Sequence, residues 1–532
     1  MSATDLHTLT GLLRVCVAEQ PEHIFLCCKE RSISFREFDR RSDALALGLQ
    51  KFGIQGGDTV ATLLENSIDL VLLWFAANKL GAIWVPFNTA LKGDFLSHQV
   101  NESLAKLIVV EAGYVERIVA IETSFSHLST VIVGDLEDTP ALTKLSAIAM
   151  EELLTTQGEL DVARILPTDL AMLVFTSGTT GRSKACMVSH RYAVSNGEIA
   201  TYNVNRTGED VCWTCLPLFH LQAVGSVVAA LLTQGTTVLS PRFSLSGFWQ
   251  EIQHCRATIV NAMGIMIPLI AQSEDSPALK ACYGQVRVVI GAPFDERLQN
   301  IYRNRFGVER AGANAYGMTE ASVMTSLAYT DYAKPGTSGK RNDLFDVMIV
   351  DDFDMPVPQG AAGEVLCRPK KPSIMFSGYW KRPEETLEVF RNLWFHTGDI
   401  GRFDEDGYFH FVDRKKDYIR RSGENISSLE LEAVFRQNAA VREIAAHAVT
   451  SELGEDEVKL TIVKQPNNTT SEAEICLWSI ERLPYFAVPR YIEFRDAIPV
   501  NPMNKVLKHQ LRAEGITAAT WDRQQAGIVV AR

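Results

Sequence analysis

Short β-branched runs alternate with capped apolar helices along most of this chain, and that alternation is what most limits the folds open to it. Residues 59–64 read as a strand. Asn66 and Ser67 then cap an apolar helix over 68–80 that Gly81 closes, and 83–85 returns to strand until Pro86 ends it. Residues 107–110, 130–133, 211–216, 236–239, 258–260 and 286–290 are further strand-like runs, with helices expected over 221–232 and 245–254. Strands separated by helices imply parallel sheets with right-handed crossovers, hence an α/β fold with helices layered on the sheets. A capping box, Ser34 to Glu37, opens an earlier helix that stops at Gly53.

The pattern changes near Asp413-Arg414-Lys415-Lys416. From residue 429 the elements are short and charged, with capping boxes at Ser427–Glu430 and Ser471–Glu474 and strands over 443–449 and 458–463. This predicts a large N-terminal domain over 1–414, with parallel or mixed sheets, and a small α+β domain over 415–532. The length of 532 residues agrees with more than one core.

The net charge of −12 gives no broad basic surplus, which argues against general nucleic-acid binding. The first residues lack a secretory pattern, and no apolar run is long enough to span a bilayer, so no stable membrane insertion is expected and the reading is cytoplasmic. The ten cysteines are scattered among apolar residues and read as reduced core thiols. Cys212 and Cys215 have redox or zinc spacing, but no second pair accompanies them, and core packing is the reading adopted.

Residues 171–175 form an apolar run that leads into Thr176-Ser177-Gly178-Thr179-Thr180-Gly181-Arg182-Ser183-Lys184. Backbone donors, small side chains and one cation are what a chain needs to wrap a polyphosphate. The spacing is not that of the common P-loop, where the lysine directly follows a glycine. Taken alone, the stretch also fits an ordinary Ser/Thr/Gly turn. Further on, Tyr316-Gly317-Met318-Thr319-Glu320 offers a ring that can stack on a purine, a hydroxyl for phosphate and a carboxylate for Mg²⁺. Trp394 to Asp399 ends in a carboxylate suited to gripping two hydroxyls.

Together these stretches resemble the adenylate-forming superfamily, which includes acyl-CoA synthetases, luciferases and the adenylation domains of peptide synthetases. The resemblance spans nearly the whole chain. It implies ATP or AMP binding by Thr176 through Gly181 and Lys184, by Gly291, Ala292 and Pro293, by Asn314 through Thr319, and by Asp399, Arg414 and Lys505. Tyr316 would pack on adenine, Thr319 would contact the α-phosphate, and Asp399 and Arg414 would bind the ribose. Glu320, with Thr176, would hold Mg²⁺. Leu216-Pro217-Leu218-Phe219-His220 resembles the acyl-site motif, with His220, Gly264, Ile265, Gly291 and Asn314 as pocket candidates. These carry no fixed charge beyond a protonated histidine, which favours a mostly neutral acyl body. No Asp lies between Cys215 and Ser226, which disfavours an α-amino acid. Lys416 resembles the hinge between domains, and Ser422, Gly423 and Glu424 the segment flanking the CoA channel. His396 reads as structural. Lys505 would be the catalytic lysine, alongside Thr319, Glu320 and His220.

Three positions depart from the family pattern: Ser183 replaces its usual proline, and Ala185 and Asn504 its usual glycines. Loss of the proline is expected to loosen the loop slightly. Within the family the chain is most similar to crotonobetaine/carnitine-CoA ligases, through residues 248–258 and 412–425. The resemblance implies an AMP-forming acyl-CoA synthetase using ATP, Mg²⁺ and CoA on a small carboxylic acid. Two alternatives stay open: transfer to a carrier-protein thiol or an amine, and a non-catalytic nucleotide-binding homologue. A homodimer and a separate carrier protein stay open as partners.

Overall fold

The computed structural model describes the chain apart from residues 1–4, 135–141, 156–157, 177–181, 293, 313–314, 352, 415–417, 422–423, 451–454, 501–505 and 532, and apart from the side chains of 5, 413, 414, 418, 425, 427, 429 and 509. It is a mixed α/β protein of two compact units. The larger comprises Met1–Thr89, Val100–Val174 and Ala185–Asp413; the smaller comprises Ala90–Gln99, Phe175–Lys184 and Arg414–Arg532.

Two seven-stranded sheets dominate the fold. In one, Arg310–Ala311, Val288–Ile290, Ile259–Asn261, Val211–Thr214, Thr236–Leu239 and Ile24–Cys28 are parallel neighbours in that order, and Arg31–Ser34 closes the edge antiparallel. The other contains Thr59–Leu63, Ile83–Pro86, Leu107–Val110, Thr130–Val133 and Ser146–Ala149 as parallel strands, with Leu170–Thr176 and Lys184–Ser189 at its far side. The strands read as continuous apolar runs because both faces are covered. Thr59–Leu63 is buried at every position, and the helix Ile68–Lys79 is buried at every position but Asp69. Trp74 and Trp84 stack at 5.0 Å within this core.

The expected helices are present with modest changes at their ends. Ser34 caps Phe35–Lys51 by accepting from the Glu37 N–H, and Ser67 caps Ile68–Lys79 by accepting from the Leu70 N–H. Asn66 was expected to share that cap, but its side chain leaves the helix altogether: it donates to the carbonyls of Leu216 and Ser240 and accepts from the Leu218 N–H. The helix expected over 245–254 is Phe248–Cys255. Ahead of Tyr316 a short strand, Arg310–Ala311, forms the outer edge of its sheet.

An antiparallel sheet of Phe345–Val350, Gly363–Pro369, Phe390–Arg391, Trp394–Phe403 and Phe409–Arg414 completes the larger unit. The smaller unit is α+β. Its sheet joins Val441–Thr450, Asp456–Lys464, Tyr491–Phe494 and Trp521–Asp522 in that order. The capping box Ser471–Glu474 forms, each member bonding the other's backbone. All ten cysteines are free, and all but Cys27 and Cys255 are buried. Cys215 lies against the Met266 sulfur at 3.4 Å, which fits the core-packing reading. Among the described residues no helix is long and apolar enough to cross a membrane.

Candidate active site

Parallel strands carry their loops to one edge, and in this fold type ligands lie beyond the carboxyl ends. The register here aligns Thr214 with Asn261, Asn261 with Ile290, and Val289 with Ala311. The segments leaving that edge are those the sequence singled out: Leu216 to His220, Gly264-Ile265, Gly291-Ala292 and, beyond Ala311, Tyr316. The edge is knitted by backbone bonds: the Gly264 N–H donates to the Ala292 carbonyl at 2.8 Å, and the Ala262 N–H to the Ile290 carbonyl at 3.1 Å. Asn66 braces Leu216 and Leu218 from behind. Gly291 has φ 154°, and a Cβ there would sit 2.0 Å from the Ala262 carbonyl oxygen, so only glycine fits.

His220 is half-buried at the N-terminus of helix Leu221–Thr233, its ring 4.7 Å from that of Phe219. Tyr316, Gly317 and Met318 form a strand paired antiparallel with Ser322–Ser326. The Tyr316 ring lies 4.5 Å from Phe409, and its hydroxyl donates to Asp399 Oδ2 at 2.9 Å. Burial drives the Tyr316 phenol far above its ordinary range, so it remains a donor. Ala315, beside it, is exposed.

Asp399 is only 3% exposed and is aimed by an irregularity in its strand. Register jumps there, with Leu366 opposite His396 but Glu364 opposite Ile400, so 397–399 bulge out around Gly398 at φ 70°. Thr397 fixes the bulge, its hydroxyl donating to the Val365 carbonyl and accepting from the Asp399 N–H. His396 is buried against Arg391 and Glu364, which agrees with a structural part.

Two tyrosines absent from the sequence reading hold the Thr319-Glu320 turn. Tyr192 donates to the Thr319 carbonyl at 2.8 Å, and Tyr379 donates to Glu320 Oε1 at 3.0 Å. The Glu320 carbonyl accepts from the Phe376 N–H. A buried oxygen donor of this kind fits Mg²⁺, which keeps waters and substrate phosphates and needs few protein ligands.

In the smaller unit, Thr176 ends its strand and Lys184, 5% exposed, opens the next. Ser183 is held rather than loosened. Its N–H donates to Glu430, its carbonyl accepts from His98 Nε2, and its hydroxyl accepts from Gln99. A proline would have no N–H to give, so the substitution adds the first of these bonds. Burial pushes the Glu430 carboxyl up to about 7, against the downward pull of the Ser183 N–H and Arg182. Glu424 begins the strand Glu424–Ser427, paired with Arg421. Ser177, Gly178, Thr179, Thr180, Gly181, Pro293, Asn314, Lys416, Ser422, Gly423 and Lys505 lie outside the described residues, as does the Arg414 side chain.

The chain is 29% identical over 518 residues to a crotonobetaine/carnitine–CoA ligase of Citrobacter koseri, covering 96% of this chain and 97% of that protein. Its fold matches an o-succinylbenzoate CoA synthetase of Bacillus subtilis with a TM-score of 0.83 at 24% identity, covering 96% and 99% of the two chains. It also matches an amide bond synthetase of Marinactinospora thermotolerans with a TM-score of 0.81 at 25% identity, covering 94% and 99%. Residues 13–380 match the AMP-binding enzyme model, and a match of that extent, over the strands and turns just described, means that the chain belongs to the AMP-binding enzyme family.

Proposed function

We propose that this protein is an AMP-forming acid–thiol ligase that activates a small carboxylic acid with ATP and passes the acyl group to CoA. The observation that carries this reading is the pairing of Tyr316 with Asp399. It sets an aromatic ring beside a buried carboxylate, which are the two groups an adenosine needs for its base and its ribose hydroxyls.

In the first step the carboxylate oxygen of the acid attacks the α-phosphorus of ATP. The bond to the bridging oxygen breaks, pyrophosphate leaves, and acyl-AMP forms. The nucleophile is already an anion, so no general base is required; the protein's task is to bring anions together and stabilise the charge on phosphorus. Lys184 and the stretch Thr176 to Gly181 are proposed for the polyphosphate, Thr319 for the α-phosphate, Asp399 and Arg414 for the ribose, and Lys505 for the reacting oxygens. Glu320, and Thr176 by resemblance, are proposed to hold Mg²⁺, which supplies charge neutralisation when bound. In the second step the CoA thiol loses its proton and its sulfur attacks the acyl carbon, releasing AMP and forming the thioester. His220 is proposed at the junction of the acyl and thiol paths, with Ser422, Gly423 and Glu424 flanking the latter. We place the functional boundary near 414, with Lys416 as the pivot of a mobile 415–532 domain, and the protein in the cytoplasm.

A second reading has an amine as the final acceptor; the likeness to an amide bond synthetase favours it. The deciding experiment screens acids for ATP-dependent pyrophosphate release, then supplies CoA or an amine to the adenylate. Thioester formation with CoA supports the first reading, and amide formation without CoA turnover supports the second. Absence of pyrophosphate release across small, medium, aromatic and betaine-like acids would overturn both.

A further inference from the structure

We propose that Gln222 selects acids carrying a neutral hydrogen-bond donor, a hydroxyl or an amide N–H, on the acyl body; the inference rests on the adenylation reading above. Gln222 stands two residues after His220, in the first turn of helix Leu221–Thr233, and is half-buried. Its Nε2 donates to Asn261 Oδ1 at 2.8 Å. Asn261 is the last residue of a central strand and leads within three residues into Gly264, so the contact crosses the edge where the acyl-pocket candidates gather. The segment that follows Asn261 is largely apolar, with Met263, Ile265 and Met266 partly buried.

The direction of the amides follows from the buried end of the network. Asn261 Nδ2 donates to Ser226 Oγ at 2.9 Å. That turns Asn261 Oδ1 toward Gln222, which therefore offers its NH₂ and leaves Oε1 at the outer end. Arg206, buried nearby, donates to the Ser226 carbonyl at 2.8 Å and the Thr236 carbonyl at 2.7 Å. Among the described residues no donor is recorded for Gln222 Oε1. Gln222 and Asn261 thus each direct an amide NH₂ inward, and Gln222 keeps Oε1 at the outer end of the pair. An acid with a donor at the right distance satisfies that oxygen, whereas a plain hydrocarbon acid would bury it unpaired, and sites built on such a bond discriminate strongly.

The test compares matched pairs: butanoate with 4-hydroxybutanoate, hexanoate with 6-hydroxyhexanoate, and benzoate with 4-hydroxybenzoate. The readout is kcat/KM for pyrophosphate release by the full-length protein. The wild type should prefer the hydroxylated member of at least one pair by about tenfold or more. Gln222→Leu should erase that preference, lowering the rate on the hydroxy acid while sparing or raising it on the plain acid. If Gln222→Leu does not fold, Gln222→Met, unbranched and of similar length, takes its place. A preference unchanged in the variant, or an equal loss on both members, would reduce Gln222 to a structural tie and overturn the proposal. Preference for the plain acid in every pair would overturn it as well, with adenylation intact. Release from no acid at all would instead overturn the adenylation reading on which it rests.

Discussion

The Tyr316 hydroxyl donates to the carboxylate of Asp399 at 2.9 Å, joining two motifs that lie 83 positions apart in the chain. A buried carboxylate held by a neutral donor is fixed in direction before any ligand arrives, so the ribose meets an oriented acceptor. Asp399→Ala should therefore raise the Michaelis constant for ATP roughly ten- to hundred-fold, the worth of a lost charged hydrogen bond. Tyr316→Phe keeps the ring and loses only the bond that orients Asp399, so its effect should be smaller, about three- to tenfold. Saturation curves for ATP on both variants check this; an effect of Tyr316→Phe exceeding that of Asp399→Ala would contradict it.

Lys505→Ala should cripple adenylation far more than thioester formation, because the lysine is proposed to act on oxygens that react only in the first step. Supplied with synthetic acyl-AMP and CoA, the variant should still make thioester. Equal losses in both half-reactions would remove Lys505 from the first step.

Gly291→Ala tests the wall of the acyl pocket. The new Cβ would meet the Ala262 carbonyl oxygen at 2.0 Å and Ile267 Cδ1 at 2.8 Å; the side chain can swing aside, but the carbonyl belongs to backbone whose own N–H is bonded to the Ile290 carbonyl. The substitution should cost about 3 kcal/mol or more and lower the thermal midpoint by several degrees. An unchanged midpoint would mean that the segment has room to shift.

Glu430 predicts a pH dependence. Its carboxyl titrates near 4.5 in an open chain and near 7 when folded. Between those values the native state keeps a proton that the unfolded chain has lost, so its contribution to stability falls as pH rises through this window and stays low above it. The change is of order 3 kcal/mol. Glu430→Gln removes the titration and should gain stability relative to wild type at higher pH. Urea unfolding of both proteins at about pH 4.5 and about pH 8 measures the difference, and a pH-independent gap between them would show that burial does not hold the proton.

The sequence made the contiguous parts of the site legible, because a ring, a hydroxyl and a carboxylate within five residues have few other joint uses. It concealed what holds them. Tyr192 reaches Thr319 across 127 positions and Tyr379 reaches Glu320 across 59, and nothing local marks either tyrosine. Asn66 carried a misleading local signal: it stands where a helix cap belongs, yet a cap needs only Ser67, and the amide satisfies backbone groups 150 residues away instead. The bulge that aims Asp399 has no local mark either, because it arises only from the pairing of its strand with Gly363–Pro369. Ser183 shows the limit of propensity. Exchanging proline for serine frees a dihedral angle, and three side chains supplied by other segments constrain the residue again.

The cysteines have a chemical consequence of their own. An acyl-adenylate is an electrophile, and any ionised thiol nearby can intercept it. Burial pushes Cys16, Cys215 and Cys255 each up to about 12, and raises Cys27, Cys28 and Cys212 as well. At neutral pH these sulfurs are protonated and poorly nucleophilic, whereas an ordinary exposed thiol, such as that of CoA, ionises several units lower. The enzyme thus keeps its own sulfur out of the competition for its activated product, and self-acylation is suppressed without a dedicated shield.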